Sequence, residues 1–391
     1  MESRKNCRIV IIGGDHYNTY GIVRSLGEEG IKSDVLILNC KSGDSFVLRS
    51  RYVGEGHGCV SSEDALSLLE RYQSKDSILI CCSDEAEELI IRNFDRLSDG
   101  FILPVSGDPN ETRRLMNKKA IGTLAHECGL TIPKTWVVNN RIIPENVEYP
   151  CLTKPLESTM GRKSDIVVCH NRDELAAIIE DPKRCSDFIV QQYIPFEKEI
   201  SILGAVLHGG EVKLSGCIDK LRTCMIGTSS FAVMVENSLI GDCVEKLKVL
   251  MSRSGYRGLF SAEFLKKGDE IFFLEVNFRN DGNTYVATAS GNNLPFQYVS
   301  SIIEGRSEGS TVSPRYPCYF MLDIEDYLAR RRNKVSLLQW MRDVRMADCF
   351  LVYNRDDIKP FVKKSCNTLK SLFRRGFVKL GSYFCKVYDK R

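Results

Sequence analysis

The sequence lacks a long hydrophobic run. Across 391 residues no apolar stretch approaches the ~18 needed to cross a bilayer as a helix, so a helical integral membrane protein is not expected. It also lacks an excess of charge of one sign: Lys+Arg 54 against Asp+Glu 51 leaves +3, too balanced for a chain whose whole surface grips nucleic acid. The five histidines (16, 57, 126, 170, 208) stand apart from one another, and the sixteen cysteines include no Cys-x-x-Cys pair. That spacing disfavours a zinc site. Most cysteines sit within apolar strand-like or helix-like runs and read as buried free thiols, not as a disulfide framework. Internal repeats and low-complexity tracts are missing too. The only apolar burst near the start, Cys7 to Ile12, ends at Gly13-Gly14 and reads as a first strand in place of a signal peptide. The expected location is the cytoplasm.

What remains is a globular composition, 43% hydrophobic and 27% charged, long enough for two or three domains. Strand-like runs at 7–12, 34–38 and 77–82 alternate with helical patterns through Ile22, Val23 and Leu26, then around 64–72 and 85–95. This alternation predicts a parallel sheet with helices on its faces, a Rossmann-like domain over residues 1–110. From Glu111 a helix carries Asn117-Lys118-Lys119 towards Gly129. Short strands follow at 135–139, 150–154, 165–169, 187–192, 198–208 and 211–218, with helices at 172–180, 240–254 and 294–304. That pattern predicts an α+β domain over 111–305 with a lid subdomain at about 111–190. The Ser-, Gly- and charge-rich segment 306–316 marks a boundary before an extension over 306–391.

Gly13-Gly14 with Gly21 fails the Gly-x-Gly-x-x-Gly fingerprint, which argues against a nicotinamide site. The turn serves either to join strand to helix or to hold an anionic part of a substrate at a helix N-terminus. Asp84-Glu85 reads by default as a helix cap and first-turn acid. The segment 258–279 is more informative. Strand alternation places Glu275, Asn277 and Arg279 on one face and Phe272, Leu274, Val276 and Phe278 on the other. A three-residue tip, Gly268-Asp269-Glu270, would face Lys267 with Ile271 and Glu263 with Glu275. Like charges so opposed are destabilising, so the pair either calls for a cation or belongs to a solvated charged strand face. Hard oxygen donors from Glu263, Glu275 and Asn277 suit Mg²⁺, and Arg279 beside them suits a metal-bound phosphate.

Taken in order, these motifs resemble the ATP-grasp superfamily, over about 110–305 with a Rossmann-like domain in front. Asn117-Lys118 is similar to the family's Asp-Lys helix, and Lys154 in YPCLTKP to its second phosphate lysine. FIVQQYI (188–194) resembles the hinge strand, which implies that Gln191 and Ile194 face adenine. Glu199 matches the ribose-binding acid, and Glu263, Glu275 and Asn277 match the magnesium ligands, with Arg279 on phosphate. The sequence departs from the family at Gln191, where glutamate is commoner, at Asn117, and in the lid loop ESTMGRKSD (157–165), which has a single glycine. The resemblance implies ATP and Mg²⁺ (Mn²⁺ as a substitute). It also implies γ-phosphoryl transfer to a carboxylate and attack of an amine on the acyl phosphate, with Arg222 either a candidate for the acyl-phosphate oxygens or a partner in a solvent salt bridge. The combination looks most like D-aspartate ligase-type carboxylate–amine ligases. Small carboxylate and amine substrates are expected, with a lipid-linked precursor and a role in cell-envelope synthesis as the finer reading. The alternatives are a small-metabolite or peptide ligase and a non-catalytic ATP-binding protein. Last, Pro360 to Arg391 holds nine Lys/Arg and one acid, with Leu369, Leu372, Phe373, Phe377, Leu380 and Phe384 at helical spacing. Such a basic amphipathic segment packs on its own domain, docks a partner or lies on an anionic membrane surface.

Overall fold

The computed structural model describes residues 7–74, 77–105, 108–155, 165–184, 187–225, 227–305 and 313–372. The lid loop at 157–164 and the tail beyond 372, with the apolar positions from Phe373 onward, lie outside the described residues.

β1 (Ile9–Gly13), β2 (Ser33–Leu38), β3 (Val53–Cys59), β4 (Ser77–Cys81) and β5 (Phe101–Ile102) form a parallel sheet in the order β3-β2-β1-β4-β5. The continuous apolar runs exist because both faces are covered. Ile9 and Ile11 enter the core beneath α1 (Tyr17–Glu28), while Val10 and Ile12 enter the one beneath α2 (Ser62–Tyr72) and α3 (Asp84–Arg92). Burying each such side chain contributes about 1.5–3 kcal/mol. β3 carries no apolar signal because it is a half-exposed edge, VGEGHGC. Its Gly58 is required sterically: a Cβ there would lie 2.3 Å from the Cys40 carbonyl oxygen.

Two further sheets follow, antiparallel except for the parallel β15–β16 pair. β6 (Thr135–Val138), β7 (Cys151–Pro155), β8 (Val167–Cys169) and β9 (Phe188–Gln192) pair in the order β6-β9-β7-β8. The larger sheet contains β10 (Lys198–Val206), β11 (Val212–Met225), β12 (Thr228–Val235), β13 (Gly258–Lys267), β14 (Glu270–Asn277), β15 (Cys318–Met321) and β16 (Cys349–Phe350). Its order is β14-β13-β10-β11-β12-β15-β16. Residues of the expected extension therefore complete this sheet, β15 pairing with β12 and β16 with β15.

α1 joins the parallel sheet to the rest of the molecule. The Arg24 guanidinium lies 3.6 Å from the Tyr285 ring centroid, the Tyr285 hydroxyl donates to Glu28 at 3.0 Å, and Ser25 meets Thr288 at 2.7 Å. The start of the basic tail docks on this body as well. Residues 358–372 are helical, Phe361 packs on the main core, and Lys364 pairs with Glu325 at 2.6 Å, whereas Leu369 and Leu372 are exposed. Among the described residues no helix is long and apolar enough to cross a membrane.

Candidate active site

A cavity of about 590 Å³ opens where the three sheets meet. Its floor is the β13–β14 hairpin. Glu263 faces Glu275 and Ser261 faces Asn277, as expected, but the route differs. Lys267 pairs with Glu270, so the tip is the two-residue turn Gly268-Asp269, and a regular ladder from there would set Glu263 against Leu274. A β-bulge between the Glu263 and Phe264 pairs absorbs Leu274 and restores the opposition. The same bulge corrects the expected face assignment. Phe272 and Leu274 turn towards Ile194 and Leu265 in an apolar cluster, while Phe273 joins Phe264, Val276 and Phe278 in the core.

The opposed carboxylates determine the electrostatics. Burial, with Glu275 and Glu199 adding repulsion against the pull of Lys220, pushes the Glu263 carboxyl above the usual range. The two opposed carboxylates, with the Asn277 amide oxygen on the same strand, are a donor set whose mutual repulsion a divalent cation would relieve. Lys118 approaches from the helix Lys118–Glu127, its Nζ 3.8 Å from Glu275 Oε2. Asn117 caps that helix by accepting from the Lys119 and Ala120 amides at 3.0 and 3.3 Å. An amide oxygen suffices for this task.

Lys154 enters from β7. Burial holds its ammonium below the usual lysine range, with Lys118 acting in the same direction, and its Nζ donates to Gln191 Oε1 at 3.0 Å. The side chain expected to face adenine is thus already engaged, its oxygen by a lysine, while Gln191 Nε2 donates to Thr135 at 3.3 Å. Gln191 and the buried Ile194 both line the cavity, next to Leu265 and Leu274. Glu199 lines it too and accepts from Lys220, whose Nζ also donates to the Gly227 carbonyl at 3.1 Å.

Arg279 and Arg222 part ways. Arg279 lines the cavity, its Nε donating to Asp84 and its Nη1 to the Asn280 carbonyl at 3.1 Å. Arg222 is not brought there. Its Nε and Nη2 bind the two oxygens of Asp326 at 3.1 and 2.8 Å, Nη1 binds Asp343, and the guanidinium lies 4.4 Å from the Phe231 ring centroid. An arginine so engaged ties β11 to the C-terminal helices, and the expectation that it meets an acyl phosphate is withdrawn.

Sequence reasoning missed Lys220 and Asp281 and gave Asp84 its bland role; it left Tyr17 and Asn18, which line the same cavity, unassigned. Ser83 is the α3 cap, accepting from the Ala86 amide at 3.2 Å, which leaves the Asp84 side chain for Arg279. A topological signal was present. In the order β3-β2-β1-β4-β5 the chain reverses direction of winding between β1 and β4, and ligands of such sheets bind outside the carboxyl ends of the strands at that point. His16 to Asn18 follow β1, and Asp84 follows β4. In the Gly13-Gly14 turn packing constrains only the first glycine: a Cβ on Gly13 would lie 2.6 Å from Thr19 Oγ1, while Gly14 has open space; Asp15 accepts from the Phe46 and Val47 amides at 2.9 and 3.2 Å.

Residues 123–294 match the family model described as the ATP-grasp domain. The chain is 30% identical over 233 residues to a formate-dependent phosphoribosylglycinamide formyltransferase of Wolinella succinogenes, a match over 56% of this chain and 58% of that enzyme. The chain thus spans little more than half the length of that relative. Among solved structures, an ADP complex of N5-carboxyaminoimidazole ribonucleotide synthetase superposes with a TM-score of 0.65 at 18% identity, over 84% of this chain and 85% of that one. An L-amino acid ligase from Bacillus licheniformis does so with a TM-score of 0.57 at 15% identity, over 77% of each. These likenesses establish the fold.

Proposed function

On the premise that this chain carries an ATP-grasp domain, we propose that it is an ATP-dependent carboxylate–amine ligase. The observation that carries the reading is the opposition of Glu263 and Glu275, with Asn277, Lys118 and Lys154 around one end of the cavity and an apolar wall at the other.

Ile194, Leu265, Phe272 and Leu274 receive the adenine, with Gln191 at its edge and Glu199 at the ribose. Glu263, Glu275 and Asn277 hold Mg²⁺, which when bound neutralises the phosphate charge. Lys118 and Lys154 neutralise the remaining phosphate oxygens, and entry of the nucleotide draws Lys154 away from Gln191. Arg279 steadies the γ-phosphoryl group as it passes to the substrate carboxylate. Positioning and charge neutralisation supply most of the acceleration in such transfers. The amine then attacks the acyl phosphate, and phosphate leaves. His16, Tyr17, Asn18, Asp84 and Asp281 surround the end at which the acid and amine enter.

The similar enzymes named above act on small molecules, and none gives support to a lipid-linked precursor or to cell-envelope synthesis. We therefore take small acids and amines as the substrate class. Screening ADP release against panels of carboxylates and amines, with mass spectrometry of the product, tests the reading. It requires Mg²⁺-dependent ADP formation that appears with an acid acceptor and yields an amide. ADP release indifferent to every acid would overturn it.

A further inference from the structure

The residue that sets Arg279 in place comes from the other end of the chain. Asp84 is the first residue of α3, at the carboxyl end of β4, and is 195 residues distant from Arg279 in sequence. Arg279 follows β14 two residues after Asn277 and is largely buried, with 16% of its side chain exposed. A guanidinium offers five N–H groups on a rigid planar fork. Asp84 takes the Nε side, the Asn280 carbonyl takes one hydrogen of Nη1 at 3.1 Å, and Nη2 lies 3.5 Å from Asn277 Oδ1. With Nε committed, the terminal Nη1–Nη2 edge is what the fork can present to an anion in the cavity.

The backbone around the pair is fastened on both sides. The Asn280 amide donates to the Cys81 carbonyl at 3.3 Å, and Asn280 Nδ2 donates to the Asn18 carbonyl and side-chain oxygens at 2.9 and 2.6 Å. Thr284 Oγ1 in turn donates to Asn280 Oδ1 at 2.6 Å. These bonds fix where the arginine stem emerges but leave the long side chain its rotamers. Asp84 is the charged contact that selects among them.

We infer that Asp84 is a positioning residue for the proposed phosphoryl transfer, holding the Arg279 fork across the junction between the parallel sheet and the β13–β14 hairpin so that its terminal edge faces the transferring group. This rests on the ligase reading, and it makes the N-terminal domain a working part of the phosphate end of the site. Misplacing a group by about 1 Å costs on the order of 100-fold in rate, which sets the expected effect.

The experiment has two arms. In the first, the arginine Nε–H resonances of full-length protein are recorded without ligand, and the Arg279 signal is assigned by its loss in Arg279→Lys. A downfield, slowly exchanging Nε–H is expected; Asp84→Asn should return it to the solvent-exposed position and Asp84→Glu should retain it. In the second, MgATP turnover is measured with an acid and amine pair that supports ADP release. Asp84→Asn should lower kcat about 100-fold with the KM for ATP within twofold, and Asp84→Glu should recover at least tenfold of the loss. An Arg279 resonance indifferent to Asp84→Asn, or a kcat within threefold of wild type, would overturn the inference. If no acid and amine pair supports turnover in the wild type, the ligase reading fails by itself, and the resonance arm still decides whether Asp84 holds Arg279.

Discussion

Two arginines, 57 positions apart in the numbering, show how the same side chain becomes structural in one region and available for chemistry in another. In the β11 region the Arg222 fork is spent on Asp326 and Asp343 and its face is covered by Phe231, with only 11% of the side chain exposed. In the β14 region Arg279 has one carboxylate in contact at Nε and lines the cavity. Both are buried and both are paired, so neither burial nor ion pairing separates them. What separates them is what claims the fork and where: two carboxylates and a ring face away from the cavity for Arg222, against one carboxylate, a carbonyl and an amide oxygen at the cavity wall for Arg279.

The comparison breaks most sharply at the proposed metal ligands and Arg279. Glu275→Gln is predicted to reduce MgATP turnover by more than about 100-fold, because one anionic oxygen set is lost from the donor group, and Arg279→Ala by a similar factor. Circular dichroism should stay near wild type in both, and the thermal midpoint in Glu275→Gln; Arg279→Ala leaves Asp84, 40% exposed, without its partner, so its midpoint should fall, though less than that of Arg222→Ala. Arg222→Ala should do the reverse. Removing one partner of a buried ion pair leaves uncompensated charge and costs about 3–5 kcal/mol, here two carboxylates of which Asp326 is fully buried. Denaturant titration reads that loss, while kcat per folded molecule should stay within about threefold.

Smaller effects sharpen the picture. Leu274→Ala thins the apolar wall that the bulge creates; a rise of about tenfold in the KM for ATP is expected, with kcat little changed, since a truncated Leu forfeits part of the ~1.5–3 kcal/mol its burial supplies. Asp323, next to the β15 end, supplies a pH signature. Burial pushes its carboxyl up to about 6, against the pull of Lys364 and of the Val352 and Tyr353 amides that donate to it. The folded state therefore binds this proton more tightly than the unfolded chain. The contribution to stability is full below the ordinary aspartate value near ~4 and is lost as the pH rises through about 6. Urea midpoints across that window should show a downward component that Asp323→Asn removes.

The sequence foretold much of this where periodicity or charge opposition leaves a trace. The parallel sheet was readable because strands covered on both faces are continuously apolar, and the pairing of Glu263 with Glu275 because two acids twelve apart on a hairpin need a reason. The turn length was not readable. A bulge changes register by one residue without a consistent signature in composition, and Leu274 fits either face. Arg222 could not be decided between an acyl phosphate and a salt bridge because its partners, Asp326 and Asp343, lie more than a hundred residues further on. Asp84 was hidden by a sufficient local explanation, the first turn of a helix, which it also satisfies. β3 was lost for want of side chains, with glycine at 54, 56 and 58.

The central claim is that Glu263 and Glu275 make a divalent cation part of nucleotide binding. Isothermal titration of ADP into the wild type and into Glu275→Gln, each with and without Mg²⁺, tests it most directly. The account predicts that Mg²⁺ tightens ADP binding at least about tenfold in the wild type, equivalent to ~1.4 kcal/mol, and that Glu275→Gln abolishes this gain while metal-free affinity is kept. Equal dependence on Mg²⁺ in the two proteins would contradict it.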